Sequence, residues 1–232
     1  MTIREMHYDF KKKFNKVDSQ KNRNLLVPEI DWALNEAEKL FVKLIAYPRL
    51  RNHLGFETTQ RSIEDIRTVV VKSSIIPNAN KVVSLPSNYE YYLKAQCTIS
   101  KGKCLNKKGR LFIYQHDDMV EESKFYNSSF EWREVAGQFT SDGIQLLVED
   151  FTVDSVMLHY IRERAYMHNA QDYVGGTYIR PNGTTLTGSQ NCELPSITHS
   201  EIVDIAVAMV AGEIQTSDFQ IRMSKIGFNQ IV

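Results

Sequence analysis

The chain has 232 residues, of which 42% are apolar and 24% are charged, the proportions of an ordinary globular protein. The formal net charge is zero, which argues against a protein that depends on a large basic surface for binding nucleic acid. No apolar run approaches the roughly 20 residues of a membrane-spanning helix, and the amphipathic N-terminus lacks the apolar core of a signal peptide. We therefore expect no membrane partner and no secretion.

The cysteines and histidines do not have the spacing of a metal site. Cys97, Cys104 and Cys192 form no C-x-x-C pair, which is typical of reduced thiols in a reducing compartment. The six histidines are scattered and lack the i, i+4 spacing with which a helix presents two ligands to zinc. We therefore expect no metal and no other cofactor.

The N-terminal part of the chain has helical periodicity. A first helix is predicted by apolar residues three or four positions apart, namely Ile3, Met6, Phe10, Phe14 and Val17. Thr2 and Glu5 have the spacing of a capping box at its start. The lysines that follow are interpreted as a solvated face of this helix.

Two more helices are predicted before residue 75. The second is expected to begin at Pro28 or Glu29, because proline suits the first helical turn, and to end before Pro48. A third, shorter helix is expected to run from about Thr58 and to carry Val70 on its apolar face.

From Val69 onward the pattern predicts strands. In YEYYLKAQCTI every second residue is apolar, which predicts one buried face made of Tyr91, Leu93, Ala95, Cys97 and Ile99. Three further segments, RLFIYQ, GIQLLVEDF and SVMLHYIRER, are strand candidates, and KGKCLNKKG and SDG are predicted turns. The middle of the chain is therefore expected to be a mostly antiparallel sheet.

The segment GGTYIRPNGTTLTGSQN, residues 175–191, is the least apolar part of the chain. It fails as a phosphate loop because no lysine and no helix follow its glycines. Asn182 and Gly183 instead predict a hairpin with a type I′ turn, with TYIR and TTLT as its arms. Because these arms are too polar to form a core face, we expect the hairpin to project, to add little to the core of its own chain, and to be available for contact with another molecule. Its candidate interface residues are Thr177, Tyr178, Ile179, Arg180, Asn182, Gly183, Thr184 and Leu186.

The order of these elements predicts the α+β class. We expect a helical bundle over residues 1–75, a β-rich part over 76–170, the projecting hairpin loop over 171–197, and a C-terminal helix and tail over 198–232. Thr198 and Glu201 have the spacing of a second capping box, and the helix they precede is apolar on nearly all sides. Such a helix is expected to be buried, and we expect it to pack on the helical part.

The best candidate for catalysis is the acidic stretch that begins at His116. Crowded carboxylates can bind a divalent cation, so a metal-dependent nuclease using Asp117, Asp118 and Glu149 is an alternative hypothesis. Asp117 and Asp118 are adjacent in sequence and point in different directions on a regular element, which favours a solvated turn. No catalytic residue is therefore assigned.

Two other groups of residues have both a structural and a functional interpretation. Cys97 could pair with His159 or His116 as a thiol and imidazole, but an alternating strand favours a buried core cysteine. The turn KGKCLNKKGR is basic and is a candidate contact with DNA phosphates, although a solvated turn is the simpler interpretation. Its cations are Lys101, Lys103, Lys107, Lys108 and Arg110.

Several segments, taken in order, resemble one family. The first is an I-x-x-M-H-x-x-F-x-x-K-x-x-x-V-D-S run, present as Ile3, Met6, His7, Phe10, Lys13, Val17, Asp18 and Ser19. The others are EIDWALNEAEKLFVK at 29–43, FETTQRSIEDIRTVV at 56–70, LPSNY at 85–89 and HSEIVDIAV at 199–207. Together they resemble the head–tail connector ring proteins, or tail adaptors, of short-tailed crAss-like bacteriophages that infect gut Bacteroidales.

The resemblance implies a structural virion protein without catalysis. Members of this family form twelvefold rings beneath the portal, extend the DNA channel and pass it to the next tail ring. The implied partners are further copies of the chain, the portal protein, the next tail ring protein, and double-stranded DNA passing without sequence recognition. The implied location is the connector of the virion, assembled in the cytoplasm of the bacterial host.

Overall fold

The computed structural model of the chain describes residues 1–15, 25–46, 64–114 and 128–213. Within these ranges the chain is α+β, as predicted, with three α-helices and a large, curled, mostly antiparallel sheet. It divides into two compact units. The helical unit comprises Met1–Val69 and Arg164–Val232, and the β unit comprises Val70–Glu163.

Two helices of the helical unit, the first and the last, begin directly after their predicted capping residues, and the second begins one residue before the predicted Pro28. The helices are α1 (Ile3–Asn15), α2 (Val27–Ala46) and α3 (His199–Glu213). The capping box before α1 is formed, since Thr2 N donates to Glu5 Oε2 at 2.7 Å and Glu5 N donates to Thr2 Oγ1 at 3.3 Å. Val17 lies outside the described residues.

The core of the helical unit is formed where α3 packs against both α1 and α2. In α3 the run of residues 202–211 is apolar at every position except Asp204, and the structure buries most sides of the helix within the chain, as its sequence predicts. Phe10 and Phe14 of α1 stack with their ring centroids 5.8 Å apart. The fully buried side chains of this core include Ile3, Met6, Phe10, Ile30, Leu34, Phe41, Ile202 and Val203.

The β unit is built on one seven-stranded sheet within the described ranges. Its strands are β1 (Val70–Ile75), β2 (Val82–Val83), β3 (Tyr89–Lys101), β4 (Cys104–Tyr114), β5 (Glu134–Thr140), β6 (Gly143–Leu147) and β7 (Thr152–Arg162). Their order is β1-β7-β3-β4-β5-β6-β2. The β4–β5 pair is parallel, and the other pairs of this sheet are antiparallel.

The sheet encloses its own core because it curls. One buried cluster contains Val83 of the edge strand β2 together with Leu158 of β7, although four strands separate these two in the sheet. Aromatic contacts join other parts of the curl, since Tyr92 of β3 meets Phe139 of β5 edge to face with centroids 5.7 Å apart. The core residues of β3 that the sequence predicts correctly are Ala95, Cys97 and Ile99.

The predicted core face of β3 is wrong in its first half. Leu93 is 38% exposed, whereas Tyr92 packs against the core. The register with β7 shifts between Tyr92 and Lys94 and again between Tyr89 and Tyr91, so each shift inserts one extra residue. A β-bulge of this kind reverses which residues face the core.

Three predicted boundaries also differ. The third helix is not continued to Val70, where β1 begins, because the β-branched Val70 and Val71 pair with β7 instead. The predicted turn KGKCLNKKG is mostly strand: Lys101 pairs with Cys104 across a two-residue turn in which Gly102 has a φ of +54°. The β unit therefore covers residues 70–163 rather than 76–170, and the hairpin region belongs to the helical unit.

Candidate functional site

The segment that contains the candidate interface residues forms a two-stranded hairpin. Its strands are β8 (Thr177–Ile179) and β9 (Thr185–Thr187), which pair antiparallel with Tyr178 opposite Leu186. The structure therefore brings the eight predicted interface residues together on one element. Thr177, Ile179 and the loop residues 181–184 are exposed.

The hairpin loop differs from the predicted type I′ turn. Arg180 N donates to Thr184 O at 2.9 Å, and Gly183 N donates to Arg180 O at 2.9 Å. Gly183 has a φ of +82°, whereas Asn182 is not among the described residues with positive φ. Pro181 fixes its own φ at about −65°, which favours a type I turn followed by a left-handed glycine.

Tyr178 anchors the hairpin to α2. Its side chain is buried, and its hydroxyl donates to Asp31 Oδ2 at 2.7 Å. Thr177 and Ile179, which flank it on β8, point the other way and are exposed, as the two-residue period of a strand requires. The prediction that this segment contributes little to the core of its own subunit is therefore wrong at Tyr178.

Asp31, on α2, is the centre of a buried polar network. Its carboxylate has no exposed surface and lies 2.7 Å from His7 Nε2 of α1. The backbone N–H of Asn169 donates to both carboxylate oxygens, at 3.2 and 3.1 Å. With Tyr178, three groups from three separate parts of the chain satisfy one buried acid, which would be costly to bury alone.

Burial and the Asp31 carboxylate hold the pKa of the Tyr178 phenol far above its usual range. The phenol therefore keeps its proton at neutral pH and donates it in the hydrogen bond to Asp31. Burial also raises the pKa of the neighbouring Tyr166, and Asp31 adds to that rise. Both tyrosines are thus neutral groups beside one acid.

The network is arranged to hold elements together. His7 is 4% exposed and Asp31 is 0% exposed, so a substrate could not reach their polar atoms from solvent without displacing the hairpin. A catalytic acid or base must lie within hydrogen-bond reach of the group it protonates. The hydrogen bonds of this network are instead directed inward to Asp31, from Tyr178, His7 and Asn169. The network therefore stabilises the packing of α1, α2 and the hairpin against one another.

A row of polar residues along α2 was missed by the sequence analysis. Asp31, Asn35 and Glu38 are spaced by four and three, so they lie on one side of the helix, and all three are buried. Asn35 Nδ2 donates to Met167 O at 2.8 Å, and Met167 N donates to Asn35 Oδ1 at 2.9 Å. Glu38 lies 3.5 Å from the guanidinium of Arg164. The spacing of these polar residues on the apolar face of the helix is the sequence pattern that could have predicted a buried polar network.

An apolar cavity of about 470 Å³ lies beside the hairpin within the helical unit. The guanidinium of Arg180 lies 3.6 Å from the centroid of the Tyr166 ring, in a cation–π contact. Trp32 and Ile179 line the cavity while remaining 51% and 70% exposed. Its other walls include Pro28, Ala33, Tyr178, Pro181, Met209 and Val210.

The five cations of the predicted basic turn are exposed but do not share one face. Lys107 alternates with the buried Gly109 and Leu111, whereas Lys108 and Arg110 point to the opposite side of β4. Lys101 lies 4.0 Å from the exposed Asp150, and Lys103 is in the two-residue turn. The prediction of a single basic turn is therefore wrong, because most of it is strand.

The residues of the alternative nuclease site are only partly described. Glu149 is exposed after β6, and Asp117 and Asp118 lie outside the described residues. Among the residues that the structure describes, no group of three or more His, Cys, Asp or Glu side chains is placed to hold a metal ion. The nuclease hypothesis stays a prediction.

Cys97 and His159 lie on opposite faces of the sheet. Cys97 is 2% exposed in the core, and burial raises the pKa of its thiol to about 11. His159 pairs in register with Lys94, which points away from the core. These two residues therefore form no thiol–imidazole pair, and His116 lies outside the described residues.

Comparison of the chain with models of protein families and with curated proteins found no match. None of the helices in the described ranges is long and apolar enough to cross a membrane.

Proposed function

We propose that the chain is a structural virion protein that forms a ring in the connector between portal and tail. In this proposal the ring is twelvefold, extends the DNA channel, and contacts the portal protein on one side and the next tail ring protein on the other. The proposal comes from the family resemblance of several sequence segments that follow one another in the same order between residue 3 and about residue 210. It assigns no catalytic role to any residue.

The observation that supports an assembling subunit is the exposed side of the hairpin. Ile179 is 70% exposed on β8, next to the apolar cavity and the half-exposed Trp32. Contiguous apolar surface of this kind is typical of protein–protein contacts. Because Tyr178 is locked to Asp31, a neighbour would meet a hairpin that is already positioned, which lowers the entropy cost of association.

A closed ring requires two different surfaces on each subunit, one for each neighbour. The hairpin side with Ile179 serves as one of them in this proposal. The backbone edges of β8 and β9 also allow a neighbouring strand to be added. Only one side of the hairpin is available to a neighbour, because the side that carries Tyr178 is buried within its own subunit.

The experiment is to replace Ile179 with aspartate and to measure particle size by native mass spectrometry and negative-stain micrographs, alone and with the portal protein. We expect the wild-type chain to form rings and Ile179→Asp to shift the population to small species. The melting temperature should be nearly unchanged, because exposed side chains away from the core contribute little to stability.

The matched control is Ile197→Asp, which changes an isoleucine that is 64% exposed elsewhere in the helical unit. We expect this variant to assemble like the wild type. Equal effects of the two substitutions would place the interface elsewhere. A wild-type chain that stays monomeric both alone and with the portal protein would contradict the ring itself.

A further inference from the structure

The face of the β unit's sheet that points away from the core carries a concentration of cations. Lys72 of β1, His159 of β7 and Lys94 of β3 stand in register across three adjacent strands. Neighbouring strands are about 4.8 Å apart, so the two lysines are based about 10 Å from each other. On the same face, Arg110 and Lys108 of β4 pair with Gln96 and Thr98 of β3. We call Lys72, Lys94, Lys108 and Arg110 the outer basic face. His159 lies between Lys72 and Lys94 in the sheet but is only 9% exposed.

The cations of this face form no ion pairs with described residues, although Glu134 stands in register beside Arg110. The side chains of Lys72, Lys94, Lys108 and Arg110 are exposed, and none of them makes an ion pair within the described part of the chain. Burial, followed by the charges of Lys94 and Lys72, lowers the pKa of His159 below its usual value. The two ammonium groups therefore act on the ring, and the ring stays neutral at pH 7.

Two carboxylates lie at the margins of the outer basic face. Glu134 of β5 stands in register with Arg110, and Asp154 accepts a hydrogen bond from Ser100 at 2.5 Å. Neither stands in the row of Lys72, His159 and Lys94.

We propose that the outer basic face binds the phosphate groups of a nucleic acid backbone without reading its sequence. The inference rests on the proposed function, in which double-stranded DNA passes the ring, and it deepens that function by naming the surface. It also replaces the basic turn as the candidate contact. Lys108 and Arg110 are retained from that turn, and Lys72 and Lys94 are added.

The side chains between the cations favour a nucleic acid over an acidic protein. Ser74, Gln96, Thr98 and Ser155 lie on this face, and hydroxyl and amide groups commonly donate to phosphate oxygens. The exposed apolar side chains of this face include Met157 and Phe112, each 38% exposed. The cores of protein interfaces are poor in lysine, whereas three of the four cations of this face are lysines.

The salt dependence follows from the small number of cations. Three or four phosphate contacts predict a slope of about −2.7 to −3.6 in log K against log salt, at roughly 0.9 per contact. The affinity should therefore fall by roughly 40- to 150-fold between 50 and 200 mM salt. Contacts that are this few and this sensitive to salt allow DNA to slide past the protein.

The test uses the full chain and a labelled 30-base-pair DNA duplex of arbitrary sequence, with fluorescence anisotropy at 50 mM salt. The face variant carries Lys72→Gln, Lys94→Gln and Arg110→Gln. The control variant carries Lys101→Gln, Lys103→Gln and Lys107→Gln, which removes the same charge from exposed residues outside the outer basic face. We expect the face variant to lose at least tenfold in affinity and the control variant to lose no more than about threefold.

The other results would overturn the inference. Equal losses in both variants would mean that net charge alone governs binding. A wild-type chain that ignores DNA but binds polyglutamate would assign the face to an acidic protein partner. Particle size is measured on the same samples, so the two proposals fail separately: rings without DNA binding remove only this inference, and DNA binding by a chain that forms no ring removes only the proposed function.

Discussion

At the scale of single residues, Asp31 holds the hairpin in place. Its partners His7, Asn169 and Tyr178 come from α1, from the segment before the hairpin, and from β8. Without them an acid with no exposed surface would have no compensation for the water it has lost. The exposed side of the hairpin is therefore positioned by a bond that is itself hidden from solvent.

We expect Tyr178→Phe to lower the free energy of unfolding by about 1.5–3 kcal/mol, the usual contribution of a hydrogen bond to a charged group. The ring would still fill its site, so the loss reports the hydroxyl alone. The measurement is chemical denaturation followed by circular dichroism.

The control for that substitution is Tyr8→Phe, because Tyr8 is 72% exposed on α1. Its removal of a hydroxyl should change stability by less than about 0.5 kcal/mol. If Tyr178→Phe were as mild as Tyr8→Phe, Asp31 would not need the phenol, and the hairpin would be held by packing alone.

At the scale of elements, two features of the sheet depend on contacts that the local pattern does not contain. The bulges in β3 place Tyr89, Tyr92 and Ala95 toward the core at intervals of three instead of two. Strand β5 was not predicted, because Gly137 interrupts its apolar pattern. The structure explains that glycine: a Cβ there would lie 3.1 Å from Leu111 Cδ1 and 3.2 Å from Ile144 Cγ2.

Gly143, at the start of β6, is where we expect a glycine to be required most strongly. Its φ is +139°, and a Cβ would lie 2.2 Å from the carbonyl oxygen of Val83 on β2. A backbone oxygen in a paired strand cannot move aside as a side chain can. Gly143→Ala should therefore displace β2 and destabilise the β unit, measured as a lower denaturation midpoint.

Gly102→Ala is the matched control for this substitution. Gly102 also has a positive φ, of +54°, but an added Cβ would meet no atom within 4 Å. Gly102→Ala should lower the free energy of unfolding by roughly 1–2 kcal/mol, because alanine is strained in the left-handed backbone conformation. We expect Gly143→Ala to cost about 2 kcal/mol more, the usual range for overpacking. Similar costs for both would mean that β2 tolerates displacement.

At the scale of the whole molecule, the two units are built differently from the chain. The β unit is one continuous stretch, Val70–Glu163, whereas the helical unit is made of two stretches that lie on either side of it in sequence. The β unit has its own buried cluster, contributed by its own strands. A continuous segment with its own core can fold alone.

We therefore expect a fragment of residues 70–163 to fold, giving a β-type circular dichroism spectrum and a cooperative thermal transition. Two neighbouring residues of β7 test whether the fold is the native one. Leu158 is fully buried and Met157 is 38% exposed on the other face. Leu158→Asp should abolish the transition because it buries a charge, while Met157→Asp should preserve it. A fragment without a transition would show that the β unit depends on the helical unit.

The amino-acid sequence by itself determines the α+β class, the starts of α1 and α3, the start of α2 to within one residue, and the burial of Ala95, Cys97 and Ile99. These features depend on residues within a turn or two of one another, so periodicity and capping residues are sufficient to predict them.

The tertiary structure alone decides the partner of Tyr178, the parallel pairing of β4 with β5, and which lysines share a face of the sheet. Asp31 and Tyr178 are 147 positions apart, and the grouping of Lys72 with Lys94 depends on the register of β7 between their strands. Contacts over such separations depend on how strands align and how the chain closes on itself, and a local pattern carries no information about either.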